Sequence, residues 1–240
     1  MNDPTRSTEE LWVCHLGTVE YRTALSLQER VRAARQADEV PDVMLLLEHW
    51  PVYTRGRRSG AGELPMGEDW YRSQGIEIVD VDRGGKITYH APGQLVGYPI
   101  VRVTDVVAYV RTLEQAIVAA LAQEDIAARA RPTDGPQYTG VWVGERKIAS
   151  IGVHLARGVT THGWAVNVEN DLEPFSWVVP CGLGDVRMTS LMAETGRAVG
   201  QMRCFRKRAA FEVARALGRR QRLVSPTRLE AAIGSVPALS

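Results

Sequence analysis

Residues 83–99 read Arg83-Gly84-Gly85-Lys86-Ile87-Thr88-Tyr89-His90-Ala91-Pro92-Gly93-Gln94-Leu95-Val96-Gly97-Tyr98-Pro99. Gly84-Gly85 marks a turn, and the β-formers Ile87, Thr88 and Tyr89 predict an extended segment ending at His90. Ala91-Pro92-Gly93 interrupts it, and a second strand is expected from Gln94 to Val103. Between Ile87 and Val101 there is no charge, yet there are a His, a Gln and two Tyr. Such a stretch fits a largely apolar cavity with a few placed polar groups, or a buried sheet whose polar groups satisfy one another.

The pattern continues on both sides. Toward the N-terminus, Leu11–Leu16 reads as a strand and 19–37 as a helix with an apolar face of Ala24, Leu25, Leu27, Val31 and Ala34. Val43–Leu47 is an unbroken apolar run of strand length, followed by a Gly- and Arg-rich loop over 54–62 and a strand over 76–81. Toward the C-terminus, Val106, Tyr109, Val110, Leu113, Ile117 and Leu121 predict a helix over 106–123. Val141–Val143 and Lys147–Leu155 read as a hairpin about Gly144-Glu145-Arg146, and a turn over 156–158 leads into a strand over 161–168. Residues 170–190 read as irregular, 202–217 as a helix, and 226–233 as the start of another. Hairpin-linked strands mixed with a few helices predict an α+β class: one domain over 11–240 behind a flexible polar tail, 1–10, with helices packed on a mainly antiparallel sheet.

Composition narrows the function. The chain has 240 residues, a net charge of +1, 45% hydrophobic and 24% charged residues. These values exclude a disordered or coiled-coil protein and argue against a general nucleic-acid binder. The three cysteines, Cys14, Cys181 and Cys204, form no C-x-x-C, so neither a disulfide framework nor a structural zinc site is expected. Free thiols and a polar N-terminus suggest the cytoplasm, and no apolar run reaches membrane-spanning length. The five histidines show no metal-binding spacing. Only Lys86, Lys147 and Lys207 among the 29 basic residues are lysines. In so Arg-rich a chain, a lysine invites a role that needs a removable proton.

Two further stretches share the uncharged character, Gly158–Val168 and Pro174–Leu183. Their wording, with Lys147-Ile148-Ala149-Ser150-Ile151-Gly152, completes a pattern. Residues 83–99, 147–152, His162-Gly163-Trp164-Ala165-Val166-Asn167-Val168 and Pro180-Cys181-Gly182 with Thr189-Ser190-Leu191 resemble, in order, four motifs of one family. It is the octanoyl-acyl-carrier-protein:protein N-octanoyltransferases, also called lipoate–protein ligase B. The resemblance runs from the helix over 21–28 to Leu191. It implies the catalytic fold of the biotin- and lipoate-protein ligases, a mixed, mainly antiparallel sheet with flanking helices.

The resemblance also implies roles. Cys181 would be the nucleophile that takes the octanoyl group from acyl carrier protein as a thioester and passes it to a lysine of a lipoyl domain. Lys147 would be its partner, as an ammonium that lowers the thiol pKa or as a neutral base. Arg83, Gly84, Gly85, Lys86, Ile87, Thr88, Tyr89 and His90 would bind substrate, with Ser150, Ile151, Gly152, His162, Gly163, Trp164 and Ala165. If 87–90 is a strand, Tyr89 and His90 face opposite ways, and His90 is the one expected at the site. His49 is expected behind the site or at its rim, and His154, Cys14 and Cys204 are read as structural. Trp50 and Trp164 stand where the family has smaller or aliphatic residues, and either would narrow the pocket.

No ATP and no metal are expected. The implied partners are octanoyl-acyl carrier protein as donor, and the lipoyl domains of 2-oxoacid dehydrogenase E2 subunits and the glycine cleavage H protein as acceptors. A monomer without nucleic-acid or membrane partners is expected. An ATP-dependent lipoate or biotin ligase of the same fold is the alternative, with Gly- and Arg-rich loops around phosphates. A non-enzymatic module that binds RNA or an acidic protein is a third reading, resting only on residues 201–240, which carry nine Lys+Arg against two Asp+Glu. Arg203, Arg206, Lys207, Arg208, Arg215, Arg219, Arg220 and Arg222 are expected around a helix there, as a solvated face or a dock for the acyl carrier.

Overall fold

The computed structural model describes residues 10–60, 62–179, 186–197 and 200–234. Four strands dictated by the apolar runs form the middle of the main sheet. They are β1 (Glu10–Val19), β2 (Asp42–His49), β6 (Gln94–Ile100) and β10 (Val159–Asn167). Two helices follow these strands: α1 (Tyr21–Gln36) and α3 (Val106–Ala122). Val43, Leu45 and Leu47 of β2 pack on the α1 face, while Met44 and Leu46 pack on the α3 face. That division explains the unbroken apolar run: a strand covered on both sides needs apolar residues at every position.

A small sheet lies beside the main one, built from β3 (Val52–Arg55), β4 (Glu77–Asp80) and β5 (Ile87–His90), with the short helix α2 (Glu68–Ser73) leading into β4. The C-terminal half adds β7 (Arg129–Ala130), β8 (Gly140–Val143), β9 (Arg146–Ala156) and β11 (Arg187–Met188). Helices α4 (Leu191–Thr195) and α5 (Met202–Ala216), strand β12 (Arg220–Val224) and helix α6 (Pro226–Ile233) close the order. The main sheet runs β12-β1-β2-β6-β10-β9-β8-β7, with β11 alongside β9. Among the described residues its central pairs, β2–β6, β6–β10, β10–β9 and β9–β8, are antiparallel, and β1 is parallel to both neighbours. The mixed, mainly antiparallel sheet with flanking helices is therefore as expected.

Strand β3, helix α2 and strand β12 differ from the sequence expectation. Thr54 and Arg55 belong to β3 rather than to the Gly-Arg loop, and β3 is too short to show a period. The basic C-terminal segment is not one helix: Arg220 and Arg222 lie on β12, where both pair with Glu10 of β1. Glu10 itself begins β1, and residues 1–9 of the expected tail lie outside the described residues. Alternating Arg, Gln, Arg, Leu, Val reads as polar helix surface until the partner strand supplies the carboxylate.

Candidate active site

One cavity of about 480 Å³ opens where β9, β10 and β6 meet β5 and the start of α3. The motifs converge on it. Arg83 to Thr88 and His90 line it from the first motif, Lys147, Ser150, Ile151 and Gly152 from the second, and His162 to Ala165 from the third. Tyr89 is the exception among the described residues expected to bind substrate. It points the other way along β5, into an aromatic cluster with Tyr53 and Phe175, as strand alternation requires. Cys181 lies outside the described residues. The chain after it returns to the cavity: Val186 and Met188 line it, and β11 pairs Met188 with Lys147.

Lys147 is 4% exposed. Its Nζ sits 5.4 Å from the centre of the Trp142 ring, within range of a cation–π contact. The Trp142 indole is fixed in turn by a 2.9 Å bond from Nε1 to the Tyr138 carbonyl. Gly140 makes room for this lysine: a Cβ there would lie 2.7 Å from Lys147 Cε and 2.4 Å from the Ala149 carbonyl, at φ +134°. The Thr189 N–H donates to the Lys147 carbonyl at 2.9 Å, tying the start of α4 to the same point.

Another part of the cavity is a cluster of imidazoles and phenols. The His90 Nδ1–H donates to Gln94 Oε1 at 2.7 Å, and the Gln94 amide donates to the Tyr89 carbonyl and to Asn167 Oδ1. That network fixes the His90 tautomer and leaves its Nε2 as an acceptor. Behind His90 lies His49, fully buried, whose Nδ1–H donates to the Val19 carbonyl at 2.8 Å. Its Nε2 accepts from the Tyr98 hydroxyl at 2.7 Å. Burial drives all of these groups to their uncharged forms: His49 falls to about 4 and His90 well below the usual histidine range. Tyr21 rises to about 12, and Tyr98 is raised as well.

His162 is held more tightly still. It has a left-handed backbone, φ 57°, within β10. On one side of it Trp164 pairs with Gly97 of β6, and on the other the Thr160 N–H donates to the Val101 carbonyl. The register between them sets His162 opposite Pro99, whose carbonyl accepts from the Thr160 hydroxyl at 2.8 Å. The His162 N–H turns instead to Gln28 Oε1 of α1, at 2.7 Å. Its Nε2–H donates to Asp82 at 2.8 Å, and its Nδ1 faces the Tyr21 hydroxyl at 3.5 Å. Burial lowers the His162 pKa despite Asp82, while the hydrogen bond from His162 pulls Asp82 down to about 2. Strain at a buried residue of this kind is kept only where the surroundings over-determine it. Gly163 next to it admits no side chain, since a Cβ would meet the Gly97 carbonyl at 2.2 Å.

Arg83 serves this architecture. Its Nη2 donates to the carbonyl and hydroxyl of Thr54, both at 2.7 Å, and its Nη1 to the Gly84 carbonyl at 3.0 Å. It therefore braces the Gly84-Gly85 turn against β3, and its charge pushes His90 and His162 further toward neutrality. Lys86 lies 3.7 Å from the buried Glu63 carboxylate. Val106, Val107 and Val110 of α3, with Ile151 and Trp164, supply apolar wall. Trp50 is 58% exposed and does not line the cavity, so only Trp164 of the two tryptophans narrows it. Among the described residues no group of His, Cys, Asp or Glu is arranged to hold a metal, and no helix is long and apolar enough to cross a membrane.

The model of the lipoyl protein ligase A/B catalytic domain matches residues 20–210. The chain is 46% identical over 208 residues to an octanoyltransferase of Thermobifida fusca, covering 81% of this chain and 84% of that one. It is 48% identical over 193 residues to the octanoyltransferase of Mycobacterium tuberculosis H37Rv, covering 78% and 79%. The chain belongs to the octanoyltransferase family. As an octanoyltransferase it is an acyltransferase of protein lipoylation. Solved structures give the architecture: a lipoate-protein ligase A bound with ATP superposes with TM-score 0.75 at 18% identity, over 93% of this chain and 92% of that one. A bi-partite lipoate protein ligase from Thermoplasma acidophilum gives 0.76 at 20%, over 94% and 90%. The ligase likeness is one of fold alone.

Tyr21, Tyr98, Asp82 and Gln28 were not singled out from sequence as site residues. Tyr98 lay within the quoted stretch, and Tyr21 and Gln28 recur on the core face of α1, which was the available signal. Nothing in the spacing joins Asp82 to His162, because only the small sheet brings that loop to β10.

Proposed function

We propose that this octanoyltransferase moves an octanoyl group from octanoyl-acyl carrier protein to a lysine of a lipoyl domain through a thioester on Cys181. The observation that supports this most is the convergence of three family motifs, with a buried Lys147, on one part-apolar cavity. Lys147 as an ammonium favours the Cys181 thiolate, and the Trp142 face favours that charged form. The thiolate attacks the thioester carbon. The carbon–sulfur bond to the carrier arm breaks, and the leaving sulfur takes a proton from Lys147. The neutral Lys147 then removes a proton from the acceptor's lysine ammonium. That amine attacks the acyl-Cys181 carbonyl, the second carbon–sulfur bond breaks, and one proton goes to solvent. The Cys181 thiolate and Lys147 ammonium are restored. Thioester exchange is nearly balanced and amide formation is downhill, so the sequence needs no nucleotide.

His90 takes part as an acceptor, since its Nε2 lone pair has no partner among the described residues and suits a substrate N–H. The acceptors are the lipoyl domains of 2-oxoacid dehydrogenase E2 subunits and the glycine cleavage H protein. Unpaired thiols suit the reducing cytoplasm.

The test is incubation with octanoyl-acyl carrier protein in the absence of ATP, followed by peptide mass spectrometry. One octanoyl group on the Cys181 peptide, released by hydroxylamine and passed to a lipoyl domain, is the expected result. No adduct, with modification of the domain by free octanoate only when ATP is present, would assign the chain to ligase chemistry.

A further inference from the structure

We infer that the Arg57-Arg58 turn is a phosphate clamp for the donor, holding the phosphate of a phosphopantetheinyl thioester at the edge of the cavity. This deepens the transferase proposal and rests on it. Most arginines in the described residues sit against a carboxylate, and Arg55, two positions earlier, has two, Asp80 and Glu68. Arg57 and Arg58 are exposed and have no carboxylate partner among the described residues. Arg58 nevertheless lines the cavity. The nearby Lys86 already has the Glu63 carboxylate 3.7 Å away, whereas among the described residues no carboxylate pairs with either guanidinium of the turn.

The turn is rigidly seated. The Arg57 N–H donates to the Arg83 carbonyl at 3.0 Å and the Arg58 N–H to the Gly85 carbonyl at 3.1 Å. The Ser59 N–H closes the turn onto the Gly56 carbonyl at 2.9 Å. Gly56 permits this contact between loops, because a Cβ would fall 2.6 Å from the Gly85 carbonyl. The backbone that carries both guanidiniums is thus bolted to the motif that lines the cavity. Two adjacent planar forks match a tetrahedral oxyanion better than they match a single carboxylate. Between its sulfur and its phosphate a pantetheine arm is uncharged. The phosphate is therefore the one group of the donor arm that these arginines can recognise by charge.

The experiment is calorimetric binding of two stable thioethers, S-octyl-4′-phosphopantetheine and S-octyl-pantetheine. The proteins are the parent, R57A/R58A, R58K and, as a control on α5, R203A. Neither ligand can transfer an acyl group, so the result does not depend on acylation of Cys181. Failure of the transferase chemistry would show separately, as no adduct from octanoyl-acyl carrier protein. The parent is expected to bind the phosphorylated ligand about tenfold more tightly or better, with a preference that shrinks in high salt. R57A/R58A should bring the two ligands to equal affinity, R58K should keep part of the preference, and R203A should keep all of it. Equal affinities in the parent, or a preference that survives in R57A/R58A, would overturn the assignment. So would discrimination that arises only when the arm is attached to the carrier protein, which would give these arginines to the carrier's surface.

Discussion

Two regions of the same cavity handle ionisable groups in opposite ways. The cluster of Tyr21, His49, His90, Tyr98 and His162 sits on strands and the first turn of α1, and burial shifts every member toward its uncharged form. Lys147, Lys86 and Arg58 sit at a strand end and on turns. A sheet can surround a side chain on all sides, so desolvation decides its protonation, and internal hydrogen bonds then satisfy the neutral forms. The turn leaves Arg58 exposed, and Lys147 has the Trp142 face beside it. In the proposed reaction the acyl thioester is neutral and its chain apolar, while the nucleophile that meets it is an anion. The division places buried phenols and imidazoles and basic side chains around one space.

The difference can be tested at several strengths. Removing the proposed proton carrier should have the largest effect: Lys147→Met is expected to lower ATP-free transfer by about 10²–10⁴-fold. Lys147→Arg should retain thiolate formation but lose transfer to the acceptor, as separated by single-turnover acylation and deacylation rates. Gly163→Ala comes next. Its Cβ would lie 2.2 Å from the Gly97 carbonyl, so a loss of about 3 kcal/mol or more in urea unfolding is expected. The histidines give a pH signature of comparable size. His49 is held near 4 when folded and has the ordinary value near 6.5 when unfolded, so the unfolded chain binds more protons between those values. Stability should be full above about 6.5 and fall as pH drops toward about 4, by about 3 kcal/mol from His49. His49→Gln should flatten that part of a melting-temperature profile. Gln28→Leu would orphan the His162 N–H, for an expected cost of about 1–3 kcal/mol and a weaker hold on the left-handed turn. Trp50→Ala, on exposed surface, should change stability by no more than about 0.5 kcal/mol and leave transfer rates unchanged.

Much of the architecture was legible because burial leaves periodic traces. The unbroken run over 43–47 and the spacing of Tyr109, Leu113 and Ile117 announce β2 and α3 before any fold is known. Alternation on β5 separates His90 from Tyr89 correctly. What sequence could not supply was pairing across distance. Arg220 and Arg222 read as helix surface until β1 sets Glu10 beside them. Gln28 looks like an ordinary polar residue on a helix until the left-handed turn of β10 aims the His162 N–H at its side-chain oxygen. Asp82 follows a strand in an unremarkable loop until the small sheet carries it to His162. The roles of Cys181 and Lys147 came from the motif resemblance, since neither a lone cysteine nor a scarce lysine states its chemistry.

Histidine-selective nitrogen NMR between pH 5 and 8 tests the contrast between the two regions most directly. Above pH 6, His49 and His90 should each show a protonated Nδ1 and a bare Nε2, and at pH 8 His162 the reverse. An imidazolium pattern at His49 or His90 at pH 6 would contradict the account, because the cavity would then present positive charge where burial is expected to exclude it.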